Sequence, residues 1–376
     1  MEKTKRISDY LKEVETTKEY SGYFCSVSEA LTIVVLGSIC GLRSVSQIHQ
    51  WASNDRIKEF LKEHFGIGKI PCYYWLLCLL KIVEPTSLNQ CFMRWVQELI
   101  GESKEKRTIS FDGKTVRSTA RMDRYDKPLH IISAHIAELG ITFAQKTVED
   151  KTNEIPAVRE LISLLEIEGC MIVADALHCQ KETAKAVVDA KADYLLSVKD
   201  NHPVLKSDIE DYVQDDSLRK TMNMASTTEK QSGRIEKRTA YATCDIEWLD
   251  SKENWTNLAT IGAINTQFET KKGVSNEWHY YISSRPLTAE ELLKYARKEW
   301  SVETMHWLLD VHFGEDFCRV EDENVQQNLN IVRKIALNSI RAFKNGTNSK
   351  RPLSKIMLDC LLDPFCILGV LGGKQN

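Results

Sequence analysis

The stretch TISFDGKTVRST, residues 108–119, decides the fold class. Its opening, Thr108–Phe111, is rich in β-branched and aromatic residues and predicts a strand over 108–112. Asp112-Gly113 follows, a pair that favours a tight hairpin turn. The next fourteen residues, KTVRSTARMDRYDK, are polar and basic and do not read as a returning strand. Asp112 therefore reads as a carboxylate at a strand end, aimed into a site, over the plainer alternative of a hairpin turn.

Upstream, residues 1–100 read as all-helical, with helices over 6–17, 27–41, 44–53, 55–64, 71–83 and 87–100. Ser26 or Ser28, Ser44 and Ser87 are the expected N-caps. EALTIVVLGSICGL, residues 29–42, is too short for a membrane span and sits behind a charged opening, so it reads as a core helix and not as a signal peptide. GESKEKR, residues 101–107, marks the change of pattern.

Downstream, strands at 129–137, 141–147, 170–175 and 193–198 alternate with helices at 155–168, 180–190 and 203–213, the signature of a mixed α/β sheet covered by helices. Residues 220–285 read as a β-rich insertion with a sheet of its own. Helices return at 288–313 and 325–345, GTNSKRPLSK reads as a loop, and the apolar ending 354–370 is expected to dock back onto the body. The division is a helical domain at 1–105, an α/β core at 106–345 and a tail at 346–376.

The 376 residues, 43% hydrophobic and 27% charged, suit a soluble globular chain. A net charge of −3 excludes a chain-wide basic footprint but not a local basic groove. The 11 cysteines include no CxxC pair, which argues against a zinc ribbon or disulfide framework and for a reducing, cytoplasmic setting.

Two further acids join Asp112. In GCMIVADALHCQKE, residues 169–182, Asp175 follows the buried-strand run MIVA. It reads equally as the cap of a helix starting near Gln180 and as a site residue, since ligands gather beyond the carboxyl ends of such strands. His178 is nearby and ranks second to it. In RKEWSVETMHWLLDVHF, residues 297–313, positions 300, 303, 307 and 310 share one helical stripe, so two acids lie among tryptophans. A mostly apolar helix is expected to be buried, with Trp300 and Trp307 in the core, and a buried carboxylate needs a cation. Glu303 is the candidate ligand, Glu299 its rival, and Asp310 a structural acid for Arg297 or Arg319.

Two aspartates on strand ends and a glutamate on a later helix form an all-oxygen set. Such a set suits two Mg2+ or Mn2+ ions, which act on phosphodiesters. Basic and polar residues flank the three acids: Lys114 and Arg117, Lys199 and Asn201, Arg234 and Arg238, and Arg297. They are the expected contacts to DNA phosphates.

FDGKTVR, VADALHCQKETA, DYLLSVKDNHP, SGRIEKR and RKEWSVETMHWLLDVHFGED occur in this order. In that order they resemble the bacterial insertion-sequence DDE transposases of the H-repeat-associated protein type, over about residues 20–345. The resemblance implies a ribonuclease H-like fold: a five-stranded mixed sheet with helices on both faces, a β-rich insertion and an all-helical N-terminal domain. It implies a triad of Asp112, Asp175 and Glu303, separated by 63 and 128 residues. It also implies double-stranded DNA as partner, a homodimer assembled on DNA, a bacterial nucleoid-associated setting, and strand cleavage followed by strand transfer. Ser232 stands where relatives have His before GRIE, and Asn201-His202 where Asn-Gln is commoner. A catalytically silent DNA-binding relative is the alternative. A glycosidase or metal-dependent phosphatase would need acids without basic neighbours.

Overall fold

The computed structural model describes residues 5–21, 24–101, 107–116, 128–148, 153–231, 234–270 and 273–372. The helix expected over 6–17 is cut short. Helix α1 (Ile7–Tyr10) passes into a 3-10 turn at Leu11–Glu13, and Thr16 then bridges to Val83 in an antiparallel contact. Val14, Thr16 and Thr17 are β-branched and favour extended backbone. Helices α2 (Val27–Ile39), α3 (Val45–Ala52), α4 (Asp55–Phe65), α5 (Tyr73–Ile82) and α6 (Pro85–Ile100) follow close to the expected bounds.

Ser26 and Ser44 cap as expected. Their hydroxyls accept from Glu29 N (3.1 Å) and Gln47 N (3.2 Å), while those two side chains reach back to the cap amides. Ser87 does not cap. Pro85 opens α6, and the Glu84 carboxylate accepts from Ser87 N at 2.6 Å. Buried on nearly every side, α2 is the core helix expected from its composition. No described helix is long and apolar enough to cross a membrane.

The strands are β1 (Thr108–Thr115), β2 (His130–Ile136), β3 (Ile141–Val148), β4 (Met171–Ala174), β5 (Asp193–Val198), β6 (Asn223–Gln231), β7 (Arg234–Thr243), β8 (Thr260–Thr270) and β9 (Gly273–Ser283). Helices α7 (Glu154–Leu164), α8 (Lys181–Asp189), α9 (Pro203–Gln214) and α10 (Asp216–Arg219) lie between them in sequence. The order across the sheet is β3-β2-β1-β4-β5-β9-β8-β7-β6. This corrects two expectations. The sheet has nine strands, not five, and the 220–285 region has no sheet of its own. It joins through β9, where Leu195–Val198 of β5 pair antiparallel with Tyr280–Ser283. An apolar β5 left at the edge would expose unpaired backbone groups, and β9 removes that edge.

The chain ends in α11 (Ala289–Glu299), α12 (Ser301–Phe313), α13 (Glu323–Thr347), α14 (Leu353–Leu362) and α15 (Phe365–Val370). The helix expected over 288–313 is therefore two helices, broken at Trp300. Polar residues on the buried face of α13 serve backbone groups of other elements. Asn338 both accepts from Thr142 N (2.9 Å) and donates to Thr142 O (2.8 Å), and Asn328 donates to Leu80 O and Val83 O. The tail docks back as expected, with Phe365 edge-on to Phe60 at 5.7 Å. One apolar core joins the N-terminal helices, the β1–β5 half of the sheet, α13 and the tail.

Also on α13, the fully buried Lys334 donates to Ser133 Oγ at 2.9 Å. Burial lowers its ammonium to about 7 from an ordinary 10.5, against the upward pull of Glu315. Between those values the unfolded chain holds the proton and the folded chain does not, so this residue's contribution to stability rises with pH. The unfolding free energy of wild type minus that of Lys334→Met is expected to climb between about pH 7 and pH 10.5 and to be flat below 7, read from urea unfolding. A flat difference across the alkaline range would contradict it.

Candidate active site

Beyond its expected end, β1 continues to Thr115, with Asp112 paired to Ser133 of β2. On its other side the parallel pairing with β4 stops at Phe111↔Ala174. Asp112 and Asp175 are thus neighbouring positions just past the last parallel pair; Asp175 follows the end of β4, whereas Asp112 lies within β1 and not at the strand end expected for it. Asp175 does cap, but not the helix expected. Its Oδ1 accepts from Leu177 N (3.1 Å) and His178 N (3.4 Å), closing the 3-10 turn Ala176–His178. Asn201 Nδ2 donates to Ala176 O at 2.7 Å, and His202 Nε2 contacts Cys179 O at 2.6 Å. These bonds hold the turn that carries Asp175, so the Asn201 amide, expected to meet DNA, is used inside the protein.

The break at Trp300 brings the third acid in. Ser301 Oγ contacts Ser110 Oγ at 3.2 Å and seats the start of α12 on β1. One turn on, His306 Nε2 lies 3.4 Å from Asp112 Oδ2. Partial burial of its carboxyl, then the charges of Asp112 and Asp175, raise Glu303 above its ordinary value. Glu299 is raised to about 7 by burial, then by Asp175, Glu303 and Asp112, against the opposing charge of Lys199. Four acids therefore share one field, and the rival Glu299 belongs to the cluster along with Glu303. Sequence reasoning missed His306, although its place one turn from Glu303 on the same helix was a signal.

The α12 stripe of Trp300, Glu303 and Trp307 exists, but it faces outward. The tryptophans are 63% and 57% exposed, which corrects the core reading. Burial is taken by Val302, Met305, His306, Leu309 and Phe313 on the opposite side. Asp310 has neither expected partner. It takes Lys114 Nζ at 2.5 Å, and the same ammonium lies 2.8 Å from the buried Glu315 and 3.7 Å from Asp316.

Lys114 is thereby held inside the fold by three carboxylates. Arg297 pairs with Glu229 (Nη2 to Oε2, 3.3 Å), and Arg238 pairs with Glu236 and lies 3.8 Å from Glu229. Lys199 is exposed beside the acids. Arg117, Ser232 and the side chain of Arg234 lie outside the described residues.

The donor set fits a hard divalent cation in kind: oxygen ligands whose mutual repulsion a cation would relieve. Among the described residues no three His, Cys, Asp or Glu side chains converge closely enough to hold an ion. The acids share a field without a closed coordination shell.

The model of a family described as "Transposase DDE domain" matches residues 103–339, and one described as "DDE_Tnp_1-associated" matches residues 8–96. The chain belongs to the DDE transposase family. Its relatives include the "H repeat-associated putative transposase YhhI" of Escherichia coli K12, 30% identical over 93% of this chain and 94% of that protein. The "Putative transposase YncI" of Escherichia coli O157:H7 is also 30% identical, over 91% and 90%. A piggyBac transposase chain, solved in a synaptic complex with hairpin DNA, shares the fold at 9% identity. Its TM-score is 0.50, with 98% of this DDE transposase chain and 77% of that chain covered. The mixed sheet with helices is thus a fold shared with that chain, and here the sheet has nine strands.

Proposed function

We propose that this transposase cuts the ends of its own insertion element and joins them to target DNA, with Asp112, Asp175 and Glu303 as the catalytic acids. These three would hold two Mg2+ or Mn2+ ions. Bound there, the ions supply charge neutralisation at the scissile phosphate and activation of a water or 3′-hydroxyl. The observation that supports the reading is that Asp112 and Asp175 each stand one residue past the last parallel pair of β1 and β4, while Ser301 on Ser110 seats α12, which carries Glu303, against the same strand.

The chain's own residues then divide by role. Lys199, exposed beside the acids, contacts a phosphate, as do Arg117 and Arg234. Trp300 and Trp307, exposed on either side of Glu303, offer faces for unpaired bases. Lys114, Asn201, Arg238 and Arg297 hold the site's framework through the internal contacts described above. Two copies assemble on the DNA.

The test pairs a gel shift with a cleavage assay on DNA carrying the element's ends. Wild type is expected to bind and, with Mg2+, to cut. Asp112→Asn and Asp175→Asn are expected to bind and not cut. Binding without metal-dependent cutting by wild type would make the chain a silent DNA-binding relative. Cutting retained by either variant would remove that residue from the triad.

A further inference from the structure

Behind Asp112, on the other side of the sheet, lies a buried polar cluster that the proposed reaction leaves unused. Successive residues of a strand face opposite sides. Asp112 is turned toward His306 of α12, so Gly113 is turned toward α7. There Glu154, the first residue of α7, is 5% exposed. It sits so close to β1 that a Cβ on Gly113 would stand 2.7 Å from Glu154 Cδ, 2.8 Å from its Oε2 and 2.8 Å from His130 Nε2. Only glycine leaves room for the carboxylate.

Glu154 reaches three elements from that seat. Its Oε1 is 2.6 Å from His130 Nε2 on β2, and His130 Nδ1 is 2.8 Å from Thr115 Oγ1 on β1. Its Oε2 is 3.9 Å from His178 Nε2, in the turn whose amide bonds to Asp175. One side of the carboxylate therefore meets the strand of Asp112, and the other meets the turn of Asp175. The backbone bonds of β1 to β4 end at Phe111↔Ala174, so they do not tie these two acids together. A buried carboxylate among imidazoles is a costly way to fill space, and apolar residues would fill it with less desolvation.

We propose that Glu154 is a positioning residue that sets the spacing of Asp112 and Asp175, and through it the affinity of the site for divalent cations. The proposal rests on the triad reading above. Gly113 is its counterpart, admitting the carboxylate to the back of β1.

The test measures Mn2+ binding by electron paramagnetic resonance, the Mg2+ concentration at half-maximal cleavage, and melting temperature, for wild type, Glu154→Gln, Glu154→Ala, Gly113→Ala and the Gly113→Ala/Glu154→Ala double variant. Both Ala single variants are expected to weaken Mn2+ binding and raise the Mg2+ requirement roughly tenfold, the range for groups that orient metal ligands. DNA affinity is expected to be unchanged, and Glu154→Gln intermediate. The double variant is expected to be no worse than either single variant, because removing the carboxylate takes away two of the methyl's three close contacts and releases the third, the His130 ring, from its bond to Glu154.

Folded Glu154→Ala or Gly113→Ala protein with wild-type Mn2+ affinity and Mg2+ requirement overturns the proposal, and so does a double variant showing the sum of both losses. If Glu154→Ala does not fold, Glu154→Gln and Gly113→Ala decide by the same readouts. Wild type that neither binds Mn2+ nor cuts DNA sinks the triad reading itself, whereas normal wild type with unchanged variants sinks only this inference.

Discussion

Glu303→Gln is expected to bind element-end DNA as wild type does and to cut it about a thousandfold more slowly, since losing several kcal/mol of transition-state stabilisation costs tenfold per 1.4 kcal/mol. The neighbouring Glu299→Gln is expected to lose far less. Both carboxyls lie in the field of Asp112 and Asp175. They differ in placement: Glu303 is exposed on the outer stripe of α12, and Glu299 is half-buried at the last turn of α11. The exposed acid can meet a cation carried on DNA, while the half-buried one stands behind it. Single-turnover cleavage at saturating Mg2+ separates them. If Glu299→Gln proves the dead enzyme and Glu303→Gln cuts normally, the third acid has been assigned to the wrong side of the kink.

The same pair makes a stability prediction of opposite sign. With no cation bound, removing one charge from four crowded acids relieves repulsion, so Glu303→Gln is expected to melt about 1–2 °C above wild type in chelator. Adding Mg2+ should raise wild type more than the variant, because only a protein that binds the ion gains by mass action. A variant that is both less active and less stable in chelator would point to damage and not to a lost ligand.

What could be read from the sequence was local. MIVA followed by Asp175, and TISF followed by Asp112, place two acids after apolar strand runs, but only the register, which ends at Phe111↔Ala174, sets the two acids next to each other. The stripe of Trp300, Glu303 and Trp307 follows from the helical repeat alone. The repeat does not say which way the stripe faces, because that depends on what packs against α12. The kink at Trp300 was hidden because helix-forming residues stand on both sides of it.

The basic residues were the least legible. Whether a lysine meets phosphate or a carboxylate depends on partners far along the chain. Lys114 finds Asp310 across 196 positions, and Arg297 finds Glu229 across 68. The joining of β9 to β5 is non-local in the same way, with Ser197 paired to Tyr281. Nothing near Gly113 in sequence announced Glu154, since the contact appears only when α7 is laid on the sheet.

Lys114→Met is expected to destabilise the fold by about 3–5 kcal/mol, the range for removing one partner of a buried ion pair. DNA affinity should stay at the wild-type level. Glu315 is 1% exposed, and the Lys114 ammonium 2.8 Å away is one of the charges that make its burial tolerable. Burial pushes the Glu315 carboxyl up, but Lys114, Lys334 and Arg333 together outweigh it and hold it below its ordinary value. A carboxyl depressed in the folded state adds stability above its unfolded pKa and loses it as pH falls. Lys114→Met should therefore lose most at neutral pH and converge on wild type in acid. Adding Glu315→Gln should restore much of the loss, because a neutral side chain no longer needs the ammonium. Asp310→Asn should cost less, since Asp310 is partly exposed and screened by water. Denaturant unfolding at neutral and acid pH, beside a gel shift on element-end DNA, tests all three. A Lys114→Met protein with wild-type stability and weakened DNA binding would return Lys114 to the phosphate-contact role expected from sequence.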